Sequence, residues 1–302
     1  MDKIPVGQTI ARTYSLVLKQ FPSILGIIWL PFVVISAASL AVSTHLAAFS
    51  TALSERDFSM LAGEWQFALP YFLLLYLIVC VQIVGVTQHA LGIRNGSPYF
   101  FFSLGAPVWR LAGAYLLVVL IFVAALAVLL IGVVLVRTLL AAITGATPSA
   151  NTSIFLDVVG VVGVIGVYAA VFYGFLRQTF LLPSVIVAEQ KIDLPRAWSL
   201  ARGNFWQILA ISAGILVPTA LIQTLGSAAL GVFPVSPSLS NGATPDQISA
   251  WNTAFYARQQ HYWFVIYPFF LLTTVAIYGA FCSAQTFAYR SLVPAEKVED
   301  VF

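Results

Sequence analysis

The sequence predicts an all-α membrane protein of six transmembrane helices, arranged as three parallel two-helix repeats, each preceded by an interfacial amphipathic helix. Three observations predict it. The chain of 302 residues is 60% hydrophobic and 8% charged, with a mean hydropathy of +0.95, whereas ordinary globular domains carry roughly a quarter charged residues. Six charge-free stretches approach or exceed the roughly 20 apolar residues that one helix needs to cross a bilayer. They are Pro22 to Thr44, Trp65 to Gln88, Leu111 to Val136, Val158 to Leu176, Phe205 to Phe233, and Tyr262 to Tyr289. Finally, a motif recurs at a constant displacement of 184 positions: Arg12, Tyr14, Ser15, Leu16, Phe21, Ile24 and Leu25 against Arg196, Trp198, Ser199, Leu200, Phe205, Ile208 and Leu209. A weaker copy, Phe102, Ser103, Leu104 and Trp109, keeps the aromatic-Ser-Leu core and loses the leading arginine.

Two spans per unit return the chain to its starting side, so the units 5–90, 91–190 and 191–292 share an orientation, as parallel repeats do. Residues 293–302 form a short tail. The apolar runs are too continuous for a transmembrane barrel, whose strands alternate over about 10 residues. The first run is also longer than the roughly 7 to 15 residues of a signal-peptide core.

In the first unit, Thr9 to Lys19 puts Arg12 and Lys19 on one helical face, and Pro22 opens the first span. Ser54 to Leu61 is the candidate helix of the outer loop, with Glu55, Arg56 and Asp57 solvated. The second unit carries Gly105 and Pro107 at its bend, and in its returning span Gly160, Gly163 and Gly166 offer a smooth packing face. The run Thr179 to Ala188, broken by Pro183, is too short to cross; it reads as the frayed end of the fourth span in preference to a re-entrant piece covered by protein. Arg177 is then expected to snorkel to the surface.

The third unit has the clearest punctuation. Asp193 serves as N-cap, Pro195 fits the first turn and Gly203 supplies a stop, so Leu194 to Arg202 reads as a short helix lying in the membrane plane. Asn204 then caps the fifth span. In the last outer loop, Thr244-Pro245-Asp246-Gln247 has the form of a capping box, predicting a helix from Pro245 to about Gln260 with Ile248, Trp251 and Phe255 on one face.

A cytoplasmic N-terminus places Lys3, Arg12, Lys19, Arg94, Arg110, Arg177, Lys191, Arg196, Arg202, Arg290 and Lys297 inside and Arg56, Arg137 and Arg258 outside, an 11 to 3 division. The positive-inside rule therefore puts both termini in the cytoplasm. Cys80 and Cys282 fall inside spans and read as small packing residues.

Reaction chemistry is hard to place. His45, His89 and His261 are scattered without metal-site spacing, no phosphate-binding glycine loop exists, and no span carries an ionisable residue. Neither a cofactor nor a catalytic residue is expected. Arg137 and Asp157 are placed to pair across the outer ends of the third and fourth spans. The net charge of +3 is too small and dispersed to suggest nucleic acid. The candidate contacts are instead basic: Arg12, Lys19, Arg110, Arg196 and Arg202, near which anionic membrane lipids gain roughly 1 kcal/mol per charge. These residues either anchor the amphipathic segments or build a headgroup site. Gln88, Gln178 and Gln285, at matching inner ends of the returning spans, form either a polar ring or ordinary interfacial amides.

The run Arg177-Gln178-Thr179-Phe180-Leu181-Leu182-Pro183, then Val187-Ala188-Glu189, then Pro195 to Trp206, resembles the membrane domain associated with glycerophosphodiester phosphodiesterases and its free-standing, uncharacterised bacterial integral membrane relatives. The resemblance is specific over Arg177 to Leu209. It implies architecture and a bacterial inner-membrane location. The phosphodiesterase activity belongs to a separate soluble barrel, and no catalytic residue of that barrel maps onto this chain.

Two readings follow. The first is a non-enzymatic inner-membrane protein that organises lipid or docks a partner through its basic elbows, serving envelope maintenance or assembly of a larger membrane complex. The second is a small uncoupled transporter or channel for an amphipathic or lipid-like solute, which an axial cavity lined by the three glutamines would favour.

Overall fold

The computed structural model describes residues 3–55, 57–94, 99–143, 150–229 and 244–293. Arg56, the last outer loop before Thr244 and the tail from Pro294 lie outside the described residues. Eleven helices and no strand occur among those described: α1 (Val6–Lys19), α2 (Phe21–Ala41), α3 (Ser43–Glu55), α4 (Phe58–Ala90), α5 (Ala106–Ile143), α6 (Ala150–Thr179), α7 (Leu182–Glu189), α8 (Leu194–Leu200), α9 (Phe205–Ala229), α10 (Pro245–His261) and α11 (Trp263–Leu292).

Six of them, α2, α4, α5, α6, α9 and α11, are long and apolar enough to cross a membrane, and each overlaps one of the six stretches expected from the sequence. The chain is a multi-pass membrane protein. At about 1.5 Å per residue, the 21 residues of α2 span about 31 Å, close to the roughly 30 Å hydrocarbon thickness. Pro31, Pro70, Pro218 and Pro268 lie inside α2, α4, α9 and α11. Transmembrane helices tolerate proline where neighbours re-satisfy the freed carbonyl.

Packing is concentrated at one end of the bundle, where α4 and α11 finish and α2, α5 and α9 begin. Ile24, Ile27, Val84, Leu111, Ile208 and Ala284 are all buried there. Toward the other end α5 and α6 pair with each other and leave Leu120, Val128, Val134, Val161 and Ile165 exposed, as suits side chains facing lipid. Of the glycines spaced by three in α6, Gly163 faces Val133 and Gly160 faces the Arg137 side chain, while Gly166 has no neighbour within 4 Å.

Three elements depart from the expected plan. First, α7 is no frayed span end: Leu182 through Ala188 are all buried, and the helix packs against α4, α5, α6, α8 and α11. A turn at Phe180 and Leu181, followed by Pro183 at the start of α7, separates it from α6. Its surroundings, rather than its composition, make it part of the core.

Second, no helix precedes α5 among residues 99–105. The Ser103 hydroxyl accepts the Gly105 N–H at 3.2 Å, a local bond that competes with helix formation. The Phe101 ring sits where a Cβ on Gly85 would lie, 2.6 Å from it, and the Trp29 indole N–H donates to the Tyr99 carbonyl at 2.8 Å. The aromatic-Ser-Leu copy Phe102, Ser103 and Leu104 is thus an irregular strap on α2 and α4.

Third, the helix between the first two spans is α3, which begins at Ser43, ahead of the expected Ser54. Asp57 instead caps α4, accepting from the N–H groups of Ser59 and Met60 at 3.0 and 3.1 Å. At this end of the bundle α3 packs on α4 and α10. The capping box expected at Thr244 and Gln247 is present. Trp251 and Phe255 stack with centroids 5.4 Å apart, whereas the side chain of Ile248 lies outside those described.

Candidate lipid-contact site beside α1

Helix α1 divides into two faces. Thr9, Thr13 and Val17, spaced four apart, are buried against α11 and α9, while Arg12 and Lys19 are exposed. The helix leans along α9: the Ile4 N–H donates to Asn204 Oδ1 at 3.2 Å, and ten residues later the Tyr14 hydroxyl donates to the Gly214 carbonyl at 2.9 Å. Ten residues of α9 cover about 15 Å. So α1 climbs beside the bundle.

On the outer side of α1 lies an open cavity of about 390 Å³, lined by Ala11, Arg12, Ser15, Leu16, Lys19, Gln20 and Phe287. It joins two cations and a hydroxyl to an apolar wall. Among the described residues no carboxylate pairs with Arg12 or Lys19. An anion arriving there meets positive charge that the protein has not already compensated.

The other candidate cations are placed differently. Arg196 Nε donates to Glu189 at 3.3 Å, and Glu189 also accepts the Tyr289 hydroxyl at 3.3 Å. Arg110 donates to the Gln190 side-chain oxygen at 3.0 Å, and Gln190 adopts φ 54°, a left-handed stop to α7. Arg202 is exposed. Lys191 bonds Asp193 at 3.0 Å. That bond raises the lysine pKa and, together with the Arg196 N–H, lowers the aspartate pKa. Asp193 accepts this N–H at 2.9 Å as the N-cap of α8. The five candidate cations therefore split into Arg196 and Arg110, engaged by protein, and Arg12, Lys19 and Arg202, facing outward.

The repeat residues make unlike contacts. Tyr14 docks α1 onto α9, Ser15 and Leu16 line the cavity, and Ser199 donates to its own turn at the Arg196 carbonyl, 2.8 Å away. Leu200 ends α8 partly buried against the core. Trp198 covers Arg177, whose guanidinium carbon is 4.1 Å from the ring centroid. Arg177 does not snorkel; it is only 9% exposed.

The three glutamines share no hydrogen bond among the described residues. Gln178 donates to the Leu194 carbonyl at 3.0 Å, tying α6 to α8. Gln285 is buried with its Oε1 unpartnered, and Gln88 is half-buried. Arg137 and Asp157 do pair, at 2.6 Å, with side chains 52% and 64% exposed. Among the described residues there is no group of three or more His, Cys, Asp or Glu able to hold a metal.

No protein-family description, curated protein or solved structure matches the chain. The site is therefore read from its own residues. Sequence reasoning missed the Glu189 junction, although Glu189, Lys191, Asp193 and Arg196 alternate in sign within eight residues. That alternation was the available signal.

Proposed function

We propose that this chain is a non-enzymatic inner-membrane protein, with both termini cytoplasmic, whose basic inner end gathers anionic lipid and presents it, or a docking surface, to a larger membrane complex. The observation that carries this reading is the cavity beside α1, where Arg12 and Lys19 face outward without a protein carboxylate and Leu16 and Phe287 supply the apolar wall. Positive charge set against an apolar groove at a helix-bundle rim matches an anionic headgroup with its first methylenes. The 11 to 3 basic asymmetry supports the orientation. The resemblance over Arg177 to Leu209 supports a bacterial setting.

Extraction of the native protein into polymer-bounded membrane discs, followed by mass spectrometry of the retained lipid and protein, tests it. Phosphatidylglycerol or cardiolipin enriched over bulk membrane in the wild type, and reduced when Arg12 and Lys19 are both changed to Glu, is the expected result. A disc with bulk lipid composition and no stoichiometric partner would end this reading. It would leave the uncoupled transporter of a lipid-like solute as the one to pursue.

A further inference from the structure

A second cavity lies elsewhere on the inner end and contains none of the basic residues singled out from the sequence. It has a volume of about 440 Å³ and opens between α5, α6 and α8, within the size range of small-molecule pockets. Val118, Ile121 and Phe122 of α5 form one wall, and Leu194, Pro195 and Trp198 of α8 the other. Gln178, which also lines it, spends its amide N–H on the Leu194 carbonyl.

Arg177 sits next to Gln178 and beneath the same Trp198 ring. Its guanidinium donates to the Tyr173 hydroxyl at 3.5 Å and to the Trp198 carbonyl at 3.3 Å, and its Nε is buried with no partner. No carboxylate pairs with it among the described residues. A charge nine-tenths buried and balanced only by an aromatic face and two neutral oxygens is an incomplete arrangement, because removing a cation from water is costly unless an opposite charge offsets it. Cation–π contact with one ring returns only part of that cost. Of the other basic residues near α8, Arg196 is committed to Glu189 and Lys191 to Glu189 and Asp193, while Arg202 is exposed.

We infer that this crevice is a phospholipid site: one acyl chain of an anionic lipid occupies the α5–α6–α8 cavity, and its phosphate neutralises Arg177 at the Trp198 edge. A tail-sized apolar space next to an uncompensated buried guanidinium selects for a molecule that carries both parts. The site goes beyond the α1 cavity and does not depend on it.

The test uses the full-length protein in phosphatidylcholine vesicles containing a trace of phosphatidylglycerol with a photoactivatable group in its acyl chain, or phosphatidylcholine labelled in the same way. Labelled peptides covering 118–122 and 194–198, with the phosphatidylglycerol probe exceeding the phosphatidylcholine probe about tenfold, are expected. Arg177→Gln should abolish that preference. Ile121→Trp, which fills the cavity and leaves Arg177 in place, should abolish the labelling itself and covers the case in which Arg177→Gln fails to fold. Arg12→Glu with Lys19→Glu should leave labelling at this crevice unchanged, so that failure here and failure at α1 are told apart. Equal labelling by both probes, or labelling confined to other peptides, would overturn the inference. So would loss of labelling on adding inorganic phosphate alone, which would assign Arg177 to a free anion.

Discussion

The Tyr14 hydroxyl donates to the Gly214 carbonyl, 2.9 Å away and 200 residues further along the chain. In an unbroken helix that carbonyl would accept the N–H of residue 218, but residue 218 is Pro218, inside α9. Proline has no N–H to give and leaves the carbonyl four residues earlier without its ladder partner. Tyr14 supplies the missing donor. Gly214 also lacks the Cβ that would stand 2.8 Å from Ile10, which lets α1 approach closely enough for the bond. Tyr14 of α1 thus completes the hydrogen bonding of α9.

Tyr14→Phe is therefore expected to destabilise the docked α1 by about 1 to 3 kcal/mol, the cost of leaving a part-buried acceptor unsatisfied. Pro218→Ala restores an N–H at position 218 and should remove most of that penalty. A double-mutant cycle read by hydrogen exchange of α1 amides checks both. Additive effects of the two changes would dissolve the link between them.

The Asp193 cap of α8 gives a pH dependence of defined sign. The Lys191 ammonium and the Arg196 N–H hold the Asp193 carboxyl below its ordinary range, so its contribution is present above the unfolded-state pKa and disappears as pH falls through the lowered folded-state value. Protease access to the segment between α7 and α9 should stay flat from neutral pH down to the carboxylate range and then rise. Asp193→Asn keeps a capping oxygen and should flatten that rise. An unchanged profile in the variant would assign the acid response to another group.

Much of this architecture is legible because its signals are local. Twenty apolar residues without charge announce a span whatever surrounds them, and Asp193 and Thr244 announce helix starts through bonds to N–H groups only three residues away. The strap at 99–105 and the burial of α7 are not local. Val185, Ile186 and Val187 would read the same on a lipid-facing span end as inside a bundle. Only the positions of α4, α5 and α11 around them decide, and a single sequence does not carry that. Arg177 fails for the same reason: its exposure depends on where Trp198 of α8 comes to rest.

The strap offers a steric test. A methyl group on Gly85 would lie 2.6 Å from both Ile27 Cγ2 and the Phe101 ring, and Ile27 is fully buried. Overpacking of this kind costs typically 1–3 kcal/mol. Gly85→Ala should lower the thermal midpoint in detergent and release the strap, so that a cysteine probe at Phe100 reacts faster. Phe101→Leu in the same chain removes the ring and should recover part of the loss.

The pair Arg137 and Asp157 supplies a contrast in which a short distance does not mean a large effect. Its 2.6 Å contact joins side chains that are both more than half exposed, and such pairs are worth about 0 to 1 kcal/mol because solvent and salt screen them. Asp157→Asn should therefore shift stability by less than about 1 kcal/mol. Glu189→Gln should do more, since Glu189 lies mostly buried at the junction of α7 with α8 and α11, where it accepts from both Arg196 and Tyr289. The neutral amide keeps a carbonyl acceptor but gives up the charge opposite Arg196, and charge-assisted bonds are worth about 1.5 to 3 kcal/mol. Denaturant titration of the two variants side by side, at low and high salt, separates the cases. The Asp157→Asn difference should vanish at high salt, and the Glu189→Gln difference should persist because its surroundings exclude the screening ions.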